Sequence, residues 1–449
     1  MTHDLTKGSP FHNILMMSLP IMLGNLFQQL YSIVDTIIVG RLVGSGALAA
    51  VGSTTSMSFL IMWFVGGMAG GYAIVLAANF GAGDIPALRR GICLSLELSA
   101  IVSVLVTTIS LFGLRSFLHL MRMPEDIFED AYTYIFVIIA GTAATVFYNI
   151  GASILRAMGD SKTPLYFLIL SSLLNIGLDI VLIRYFEMGV FGAAIATVAS
   201  QVVSGILCFA YMYLHFEEVR FGGTDWKPDW TRSLEMLSFG IPAGLYGATT
   251  AIGILIIQFA INCYGTVIIA GYTAAIKVQN FVEIPLNSFS MTMVNFEGQN
   301  LGAGNRENMK KGYRDCMMMG LETAALSCVF LLVLGRGFSA LFVTGMDAEM
   351  VVDFAAKYLR YTAPFFFPYA VLLITRSTLQ GMGDKAAPVI NGVLESALRI
   401  AFTVYLVGHL SETLLCLVNP VIWTVAAVGL LVMYHRFWGR CFCEEDGPF

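Results

Sequence analysis

Long apolar runs alternate with short polar interruptions along the whole chain. Glycine, proline and charge clusters divide it into twelve apolar segments, each at least as long as the ~20 residues that a helix needs to cross a bilayer. The predicted helical spans are residues 13–39, 48–79, 88–118, 126–156, 163–185, 190–215, 233–262, 267–301, 307–340, 348–380, 386–407 and 411–437. This pattern predicts an all-α polytopic membrane protein with twelve transmembrane helices.

The second half of the sequence repeats the first. Three matches keep one order at offsets of 221 to 224 residues: Asn79-Phe-Gly-Ala-Gly-Asp84 with Asn300-Leu-Gly-Ala-Gly-Asn305, Pro20 with Pro242, and Met158-Gly-Asp160 before Pro164 with Met382-Gly-Asp384 before Pro388. Six spans per repeat is an even number, so both halves should insert with the same orientation. We therefore predict two pseudo-symmetric six-helix bundles with a substrate cavity between them.

One long polar connection, from Phe216 to Arg232, separates the two repeats. It predicts an amino-terminal bundle at residues 1–216, a cytoplasmic linker at 217–232, a carboxy-terminal bundle at 233–440 and a tail at 441–449. The first apolar segment is too long for a signal peptide and is not followed by a small-residue cleavage site.

Composition agrees with a membrane protein and argues against several other classes. The chain is 57% hydrophobic and only 12% charged, whereas soluble domains carry about 25% charged residues. The eight cysteines lie mostly in apolar segments, and the six histidines fall at span ends or tails. A membrane-embedded enzyme would need a nucleophile–base pair or a metal set. We expect no enzymatic activity, no cofactor and no nucleic-acid partner.

The distribution of Lys and Arg predicts the orientation in the membrane. The side that holds both termini and the linker collects sixteen of the 25 basic residues, and the opposite side has seven. Because basic residues favour the cytoplasmic side, we expect a multi-pass protein of the cell membrane with both termini in the cytoplasm.

Two carboxylates lie at the same predicted depth. Asp35 follows Pro20 by fifteen residues, and Asp179 follows Pro164 by the same number. If each proline opens a helix on the cytoplasmic side, both carboxylates lie roughly 22 Å above it, at 1.5 Å per residue. Asn175 precedes Asp179 by one helical turn, and Thr197 falls at a similar height in the next span.

Carboxylate, amide and hydroxyl groups at one height predict a cation site. Oxygen ligands suit a hard cation such as Na⁺, and two neighbouring carboxylates are equally suited to holding one proton. The alternative is that each polar side chain bonds a neighbouring helix for packing. Carboxylates are a costly choice for that purpose at membrane depth, so we favour a coupling site for H⁺ or Na⁺ at Asp35, Asn175, Asp179 and Thr197.

The carboxy-terminal half carries fewer candidates. Glu283 lies mid-span before Pro285 and is interpreted as either part of a substrate-facing polar site or part of a structural kink. Glu395 and Arg399 are spaced for an internal ion pair, and Glu297 is expected to reach solvent at a helix end. Aromatic faces attract cations and methionines adapt to varied ligands, although core packing is the simpler explanation. The predicted substrate-cavity residues are Tyr31, Lys277, Gln279, Glu283, Met291, Phe366 and Tyr369.

Several motifs resemble the multidrug and toxic compound extrusion (MATE) family. They are Phe27-Gln-Gln-Leu-Tyr-Ser-Ile-Val-Asp-Thr-Ile-Ile-Val-Gly40, the segment from Gly44 to Gly52, the paired Gly-Ala-Gly loops and Leu155-Arg-Ala-Met-Gly-Asp160. The resemblance implies a V-shaped arrangement of two bundles. It also implies export of lipophilic, mostly cationic compounds in exchange for H⁺ or Na⁺ by alternating access.

One branch of that family has its cation site in the amino-terminal half, on residue types that match Asp35, Asn175, Asp179 and Thr197. Another branch uses acidic residues on helices 7 and 10, and the corresponding segments here, 238–263 and 361–380, contain no Asp or Glu. The resemblance therefore implies an antiporter of small amphipathic cations that works as a monomer in the lipid bilayer. A flippase for a lipid-linked or polyisoprenoid substrate is the second interpretation, a membrane-embedded enzyme is a third, and a channel is a further one.

Overall fold

The computed structural model describes residues 4–121, 123–223, 225–343 and 347–442, and within those ranges it contains helices and no strands. Its α-helices are α1 Pro10–Leu42, α2 Ser45–Gly81, α3 Ile85–Leu120, α4 Glu125–Ala140, α5 Thr142–Ala157, α6 Lys162–Ile180, α7 Gly189–His215, α8 Trp230–Ile261, α9 Thr266–Gly302, α10 Arg306–Ala340, α11 Ala348–Thr362, α12 Phe366–Gly381, α13 Ala386–His409 and α14 Glu412–Phe442. The predicted all-α fold is confirmed.

Two predicted spans are each divided into two helices. The predicted span 126–156 becomes α4 and α5, which meet at Gly141 with a bend of 44°. A Cβ on Gly141 would overlap the side chain of Val198 on α7, so the break lets α7 approach the backbone. The predicted span 348–380 becomes α11 and α12, joined by a 3₁₀ turn at Ala363–Phe365. Pro364 in that turn supplies no backbone N–H, which interrupts the helical bonding.

The repeated loop motif builds the same helix start twice. The Asp84 carboxylate accepts a hydrogen bond of 2.9 Å from the Ala87 N–H at the start of α3. The Asn305 side chain accepts one of 3.2 Å from the Asn308 N–H at the start of α10. Gly83 and Gly304 precede these caps with φ of 70° and 67°, a conformation that favours glycine. The sequence repeat is therefore also a repeat of local structure.

The chain forms two compact units. The amino-terminal unit contains Leu23–Ala248, and the carboxy-terminal unit contains Leu5–Met22 and the chain from Thr249 onward. The boundaries after Met22 and Ala248 fall inside helices, shortly after Pro20 in α1 and Pro242 in α8. The predicted division at the linker, residues 217–232, stays a prediction.

Pro20 lies inside α1, whereas the depth count placed it at the opening of the first span. The helix begins ten residues earlier, at Pro10, and continues through Pro20. An internal proline removes one backbone donor and commonly kinks a helix without ending it. The distance from Pro20 to Asp35 is unaffected, because the residues between them are helical.

Close helix packing in the amino-terminal unit depends on glycines of α2. A Cβ on Gly71 would lie 2.5 Å from the carbonyl oxygen of Phe239 on α8, and one on Gly67 would overlap the carbonyl group of Ala243. Such small residues let two membrane helices bring their backbones together. Gly67 and Gly71 therefore form a packing motif on α2.

We expect Gly71→Ala to destabilise the protein by about 1–3 kcal/mol, because the new methyl group meets backbone atoms that cannot rotate away. Gly70→Ala is the matched control, since its Cβ would meet nothing within 4 Å. Thermal unfolding of the two purified variants in detergent measures the difference. Equal unfolding temperatures for the two variants would contradict the close α2–α8 contact.

Candidate functional site

Asp35 and Asp179 come together in the amino-terminal unit. Asp35 is carried by α1, and Asp179 lies in the last turn of α6, directly before a π-helical turn at Val181–Tyr185. Such π-helical turns are frequent at functional sites. Helical rise alone predicted that both carboxyl groups lie at one height, and the structure brings them into contact.

The two carboxyl groups can stay in contact only if their negative charge is neutralised. They lie within hydrogen-bonding reach of each other, and ionised carboxylates only accept hydrogen bonds. Asp179 is 0% exposed, and neither of its oxygens has a hydrogen-bond donor among the described residues. Burying two unpaired negative charges side by side is very unfavourable. The pair therefore fits a site that is neutralised by a proton or a metal cation.

Three further oxygen-bearing side chains join this pair, and we call the set the amino-terminal cluster. The Tyr31 hydroxyl donates a 2.7 Å hydrogen bond to Asn175 Oδ1, and Asn175 Nδ2 lies 3.4 Å from Thr197 Oγ1. Asn175 is buried, while Thr197 and Tyr31 are half-buried. Tyr31, predicted as a substrate-cavity residue, thus lies with the four predicted cation-site residues.

Tyr134 on α4 is a member of the amino-terminal cluster that sequence reasoning missed. Its hydroxyl lies close enough to interact electrostatically with both Asp35 and Asp179. No feature of the sequence distinguishes it from Tyr132, two residues earlier in the same apolar span. Only the packing of α4 beside α2 and α7 selects the residue that faces the carboxyl groups.

The donor set of the amino-terminal cluster suits a hard cation as well as a proton. It offers carboxylate, amide and hydroxyl oxygens, the ligands that Na⁺ and similar cations take. Within the part of the chain that the structure describes, no three residues of His, Cys, Asp or Glu are grouped as a transition-metal site would require.

We expect Tyr31→Phe to weaken binding of the coupling cation by roughly five- to tenfold, because Asn175 Oδ1 loses its donor and the site loses its fixed geometry. The apparent Michaelis constant for the driving ion in proteoliposomes measures this effect. Tyr166→Phe on α6, where the ring is 62% exposed, is the control and should leave the constant unchanged. The same constant for Tyr31→Phe as for wild type would contradict this role.

A second polar group lies in the carboxy-terminal unit around Glu283 on α9. Gln279 Nε2 donates a 2.7 Å hydrogen bond to Glu283 Oε1, and the Tyr369 hydroxyl donates one of 3.1 Å to Glu283 Oε2. The Tyr369 ring packs at 4.5 Å from that of Trp423 and at 5.9 Å from that of Phe366, measured between centroids. Four predicted substrate-cavity residues therefore lie together.

Two other predicted substrate-cavity residues lie away from this group. The Lys277 side chain is exposed, and its Nζ lies 5.4 Å from the centre of the Phe342 ring. Met291 is 38% exposed and follows Glu283 by about two turns of α9. Their predicted roles, like those of the residues around Glu283, stay predictions.

A buried ion pair on α13 stands next to Glu283. Arg399 Nη2 lies 3.9 Å from Glu395 Oε2, and Arg399 Nη1 donates a 2.9 Å hydrogen bond to Asn419 Oδ1 on α14. Asn391 Nδ2 donates a 2.6 Å hydrogen bond to Glu395 Oε1. The pairing predicted from the i,i+4 spacing is present, and Arg399 also interacts electrostatically with Glu283.

The burial of Glu297 contradicts the expectation from the sequence. Its position near the end of α9 suggested that the side chain reaches solvent, but the residue is 0% exposed. The end of α9 is covered by the segment around Leu5, whose N–H donates a 3.0 Å hydrogen bond to Gln299 Oε1. Sequence position alone did not reveal this cover.

Comparison with protein families gives two matches to one model. The MatE family model matches residues 20–181 and again residues 242–405. The two matches begin 222 residues apart, which is the offset of the sequence repeat.

Alignments with individual relatives cover most of the chain. The probable multidrug resistance protein YpnP of Bacillus subtilis is 30% identical over 374 residues, which cover 82% of this chain and 81% of that protein. The multidrug export protein MepA of Staphylococcus aureus is 23% identical over 396 residues, with coverage of 88% and 86%.

Solved structures share the fold over nearly the full length. A MOP superfamily transporter from Pyrococcus furiosus, described as having a binding pocket of reversed polarity, superposes with a TM-score of 0.89 at 24% identity. A MATE transporter crystallised with MaL6 superposes with a TM-score of 0.86 at 25% identity. Each comparison covers 97% of both chains.

The family model, the relatives and the shared fold agree with the repeat and with the apolar helices that carry it. This chain belongs to the MatE family of multi-pass membrane transporters.

Proposed function

We propose that this protein is a secondary active multidrug efflux transporter that exchanges lipophilic cations for H⁺ or Na⁺. The observation that carries the proposal is the buried contact between Asp35 and Asp179, which requires a cation to neutralise it. The relatives YpnP, a probable multidrug resistance protein, and MepA, a multidrug export protein, support the same substrate class.

Exchange of substrate for the driving cation follows if the amino-terminal cluster alternates between an ionised state and a neutralised state. With Asp35 and Asp179 ionised, the carboxylates repel each other and favour a conformation that holds a cationic substrate. Arrival of the driving cation neutralises the pair, lets α1 and α6 pack together, and favours substrate release. The two ligands must weaken each other's binding, and this coupling is reciprocal.

The group around Glu283 is our proposed contact for the cationic part of a substrate. It combines a carboxylate with the rings of Tyr369, Phe366 and Trp423. A carboxylate attracts positive charge, and aromatic faces add a cation–π attraction. The arrangement supports amphipathic cations as the substrate class.

A lipid-linked sugar phosphate is less favoured as cargo, because it would require basic groups to bind phosphate. Lys277 contacts Phe342, and Arg399 is engaged by Glu395 and Asn419. We further propose that the protein acts as a monomer in the cell membrane with both termini cytoplasmic.

The proposal is tested by efflux of a fluorescent lipophilic cation from cells that express wild type or Asp35→Asn. Asparagine keeps the size of the side chain and removes the charge that must be neutralised. We expect dye retention in the variant to approach that of cells without the transporter. Asp130→Asn, an exposed acid on α4, is the matched control. Wild-type efflux by Asp35→Asn would contradict the proposal.

A further inference from the structure

Glu297 is a buried carboxyl group outside both sites described above. It lies on α9, in the carboxy-terminal unit, where every residue from Asn295 to Asn300 is buried. Neither oxygen of Glu297 has a hydrogen-bond partner among the residues that the structure describes. The mechanism proposed for the amino-terminal cluster does not use this group.

Among the residues that the structure describes, no basic group forms an ion pair with Glu297. On α12, a Cβ at Gly381 would lie 2.7 Å from the Glu297 Cβ, which shows how closely the two helices approach. Cys316 on α10 and Tyr434 on α14 are titratable groups that interact electrostatically with Glu297 from other helices. Neither group carries a positive charge in any protonation state.

An ionised carboxylate cannot be accommodated in these surroundings. Moving an unpaired charge into a medium of low dielectric constant is unfavourable by many kcal/mol, so such a group takes up a neutralising partner. A metal cation would need several oxygen ligands. Of the residues that the structure places against Glu297 from α10, α12 and α14, Gly381 has no side chain, Cys316 carries a thiol and Tyr434 carries a phenol. A proton is the ligand that fits.

A short segment before α1 closes the end of α9 that carries Glu297. We call residues 5–7 the amino-terminal clasp. Leu5 is 0% exposed and belongs to the same hydrophobic core as Phe296 and Cys316. Its N–H donates to Gln299 Oε1 at 3.0 Å, and its carbonyl oxygen accepts hydrogen bonds of 3.3–3.4 Å from Asn13, Asn300 and Asn308.

Two further hydrogen bonds hold the amino-terminal clasp in place. Asn13 Nδ2 donates to the Lys7 carbonyl oxygen at 2.8 Å, and Asn305 Nδ2 donates to the Thr6 carbonyl oxygen at 3.4 Å. Gln299 and Asn300, which bind Leu5, follow Glu297 by two and three residues. The amino-terminal clasp therefore covers the turn of α9 that holds the buried carboxyl group.

We propose that Glu297 is a second proton-binding site of this transporter, and that the amino-terminal clasp controls its access to water. With the clasp in place, Glu297 keeps its proton. When the clasp opens, the O–H bond breaks, the proton passes to water, and water solvates the carboxylate that remains. The site is separate from Asp35 and Asp179, and it binds a proton whether H⁺ or Na⁺ drives transport.

The first test is infrared spectroscopy of the purified protein at neutral pH. A protonated carboxyl group gives a carbonyl band that an ionised carboxylate lacks. We expect Glu297→Gln to lose one such band and to leave the carboxylate band unchanged. Glu307→Gln, an exposed acid that pairs with Lys311 at the start of α10, should lose carboxylate intensity instead. Loss of carboxylate intensity in Glu297→Gln would overturn the proposal.

The second test addresses the amino-terminal clasp by exchange into D₂O, which shifts the carbonyl band as the proton is replaced. We expect Leu5→Ala to speed the shift by roughly tenfold or more, because the clasp loses its buried anchor. Phe11→Ala is the control, since Phe11 is exposed near the start of α1. Equal exchange in the two variants would show that the clasp does not control access.

A third readout requires no substitution at Glu297, so it holds even if Glu297→Gln does not fold. Hydrophobic carbodiimides react with protonated carboxyl groups, and mass spectrometry locates the adduct. We expect an adduct at Glu297 in Leu5→Ala and at least about tenfold less in Phe11→Ala. Absence of the adduct from both would overturn the proposal. None of these readouts depends on efflux, so they remain separate from the test of Asp35→Asn.

Discussion

Asp179→Asn is expected to abolish ion-driven export while leaving substrate binding intact. Asparagine fills the same buried space on α6, so the packing of the amino-terminal unit is retained. The amide carries no negative charge, so Asp35 no longer needs a shared proton or a metal cation to offset its neighbour. The repulsion between two carboxylates, which in our proposal separates the two states of the amino-terminal cluster, then disappears.

The size of the effect follows from the coupling free energy. Typical coupling between two ligands changes affinity by about 5- to 150-fold, and we expect most of that change to be lost. Fluorescence binding of a lipophilic cation and its export from the same vesicles measure the two properties separately. Asp126→Asn, an exposed acid at the start of α4, is the control. Loss of binding in Asp179→Asn, or export at the wild-type rate, would contradict the expectation.

Arg399→Met is expected to destabilise the protein by about 3–5 kcal/mol, the usual result of removing one partner of a buried ion pair. The side chains of Arg399 and Glu395 are only 8% and 7% exposed. Without the guanidinium group, Glu395 keeps the hydrogen bond from Asn391 but loses its positive partner. Asn419 Oδ1 also loses its donor.

The double variant Glu395→Gln/Arg399→Met distinguishes two contributions to the lost stability. One is the loss of the ion pair, and the other is the burial of Glu395 without a positive partner. We expect the double variant to recover most of the lost stability, because no buried charge remains unpaired. An exposed pair serves as the control: Arg336 and Asp353 are 2.9 Å apart but more than half exposed, so Arg336→Met should cost under about 1 kcal/mol. Thermal unfolding that is equal for the single and double variants would contradict this explanation.

The contact between Asp35 and Asp179 was predictable because helical rise is regular. Fifteen residues of helix separate each carboxylate from a proline, so counting along the sequence gave their common height. The premise that Pro20 opens the first helix was wrong, because α1 begins at Pro10, but the fifteen residues from Pro20 to Asp35 are helical as the count assumed. The sequence repeat likewise predicted that the loops before α3 and α10 have one structure.

Residues that depend on neighbouring helices were not predictable in this way. Tyr134 faces the carboxyl groups because of how α4 packs. The apolar sequence of that span does not indicate which side of the helix faces them. Glu297 was expected to reach solvent because its distance from the helix end is short. The amino-terminal clasp covers that end through hydrogen bonds across some 300 residues of sequence, and no local pattern indicates them.

The positions of breaks within the apolar spans were also not predictable from the sequence. Gly141 is one glycine among several in the apolar spans, yet the two helix segments that meet there bend by 44°. Val198 on α7 occupies the space that a Cβ on Gly141 would need. Sequence-local reasoning does not identify the residue that approaches from another helix.

The most direct test of cation coupling at Asp35 and Asp179 is transport of a fluorescent lipophilic cation by purified protein in proteoliposomes. An imposed pH gradient and an imposed Na⁺ gradient are compared, each for wild type, Asp35→Asn and Asp179→Asn. We expect one of the two gradients to drive transport by the wild type and neither to drive it in the variants. Gradient-driven transport by both variants at the wild-type rate would contradict the proposed coupling site.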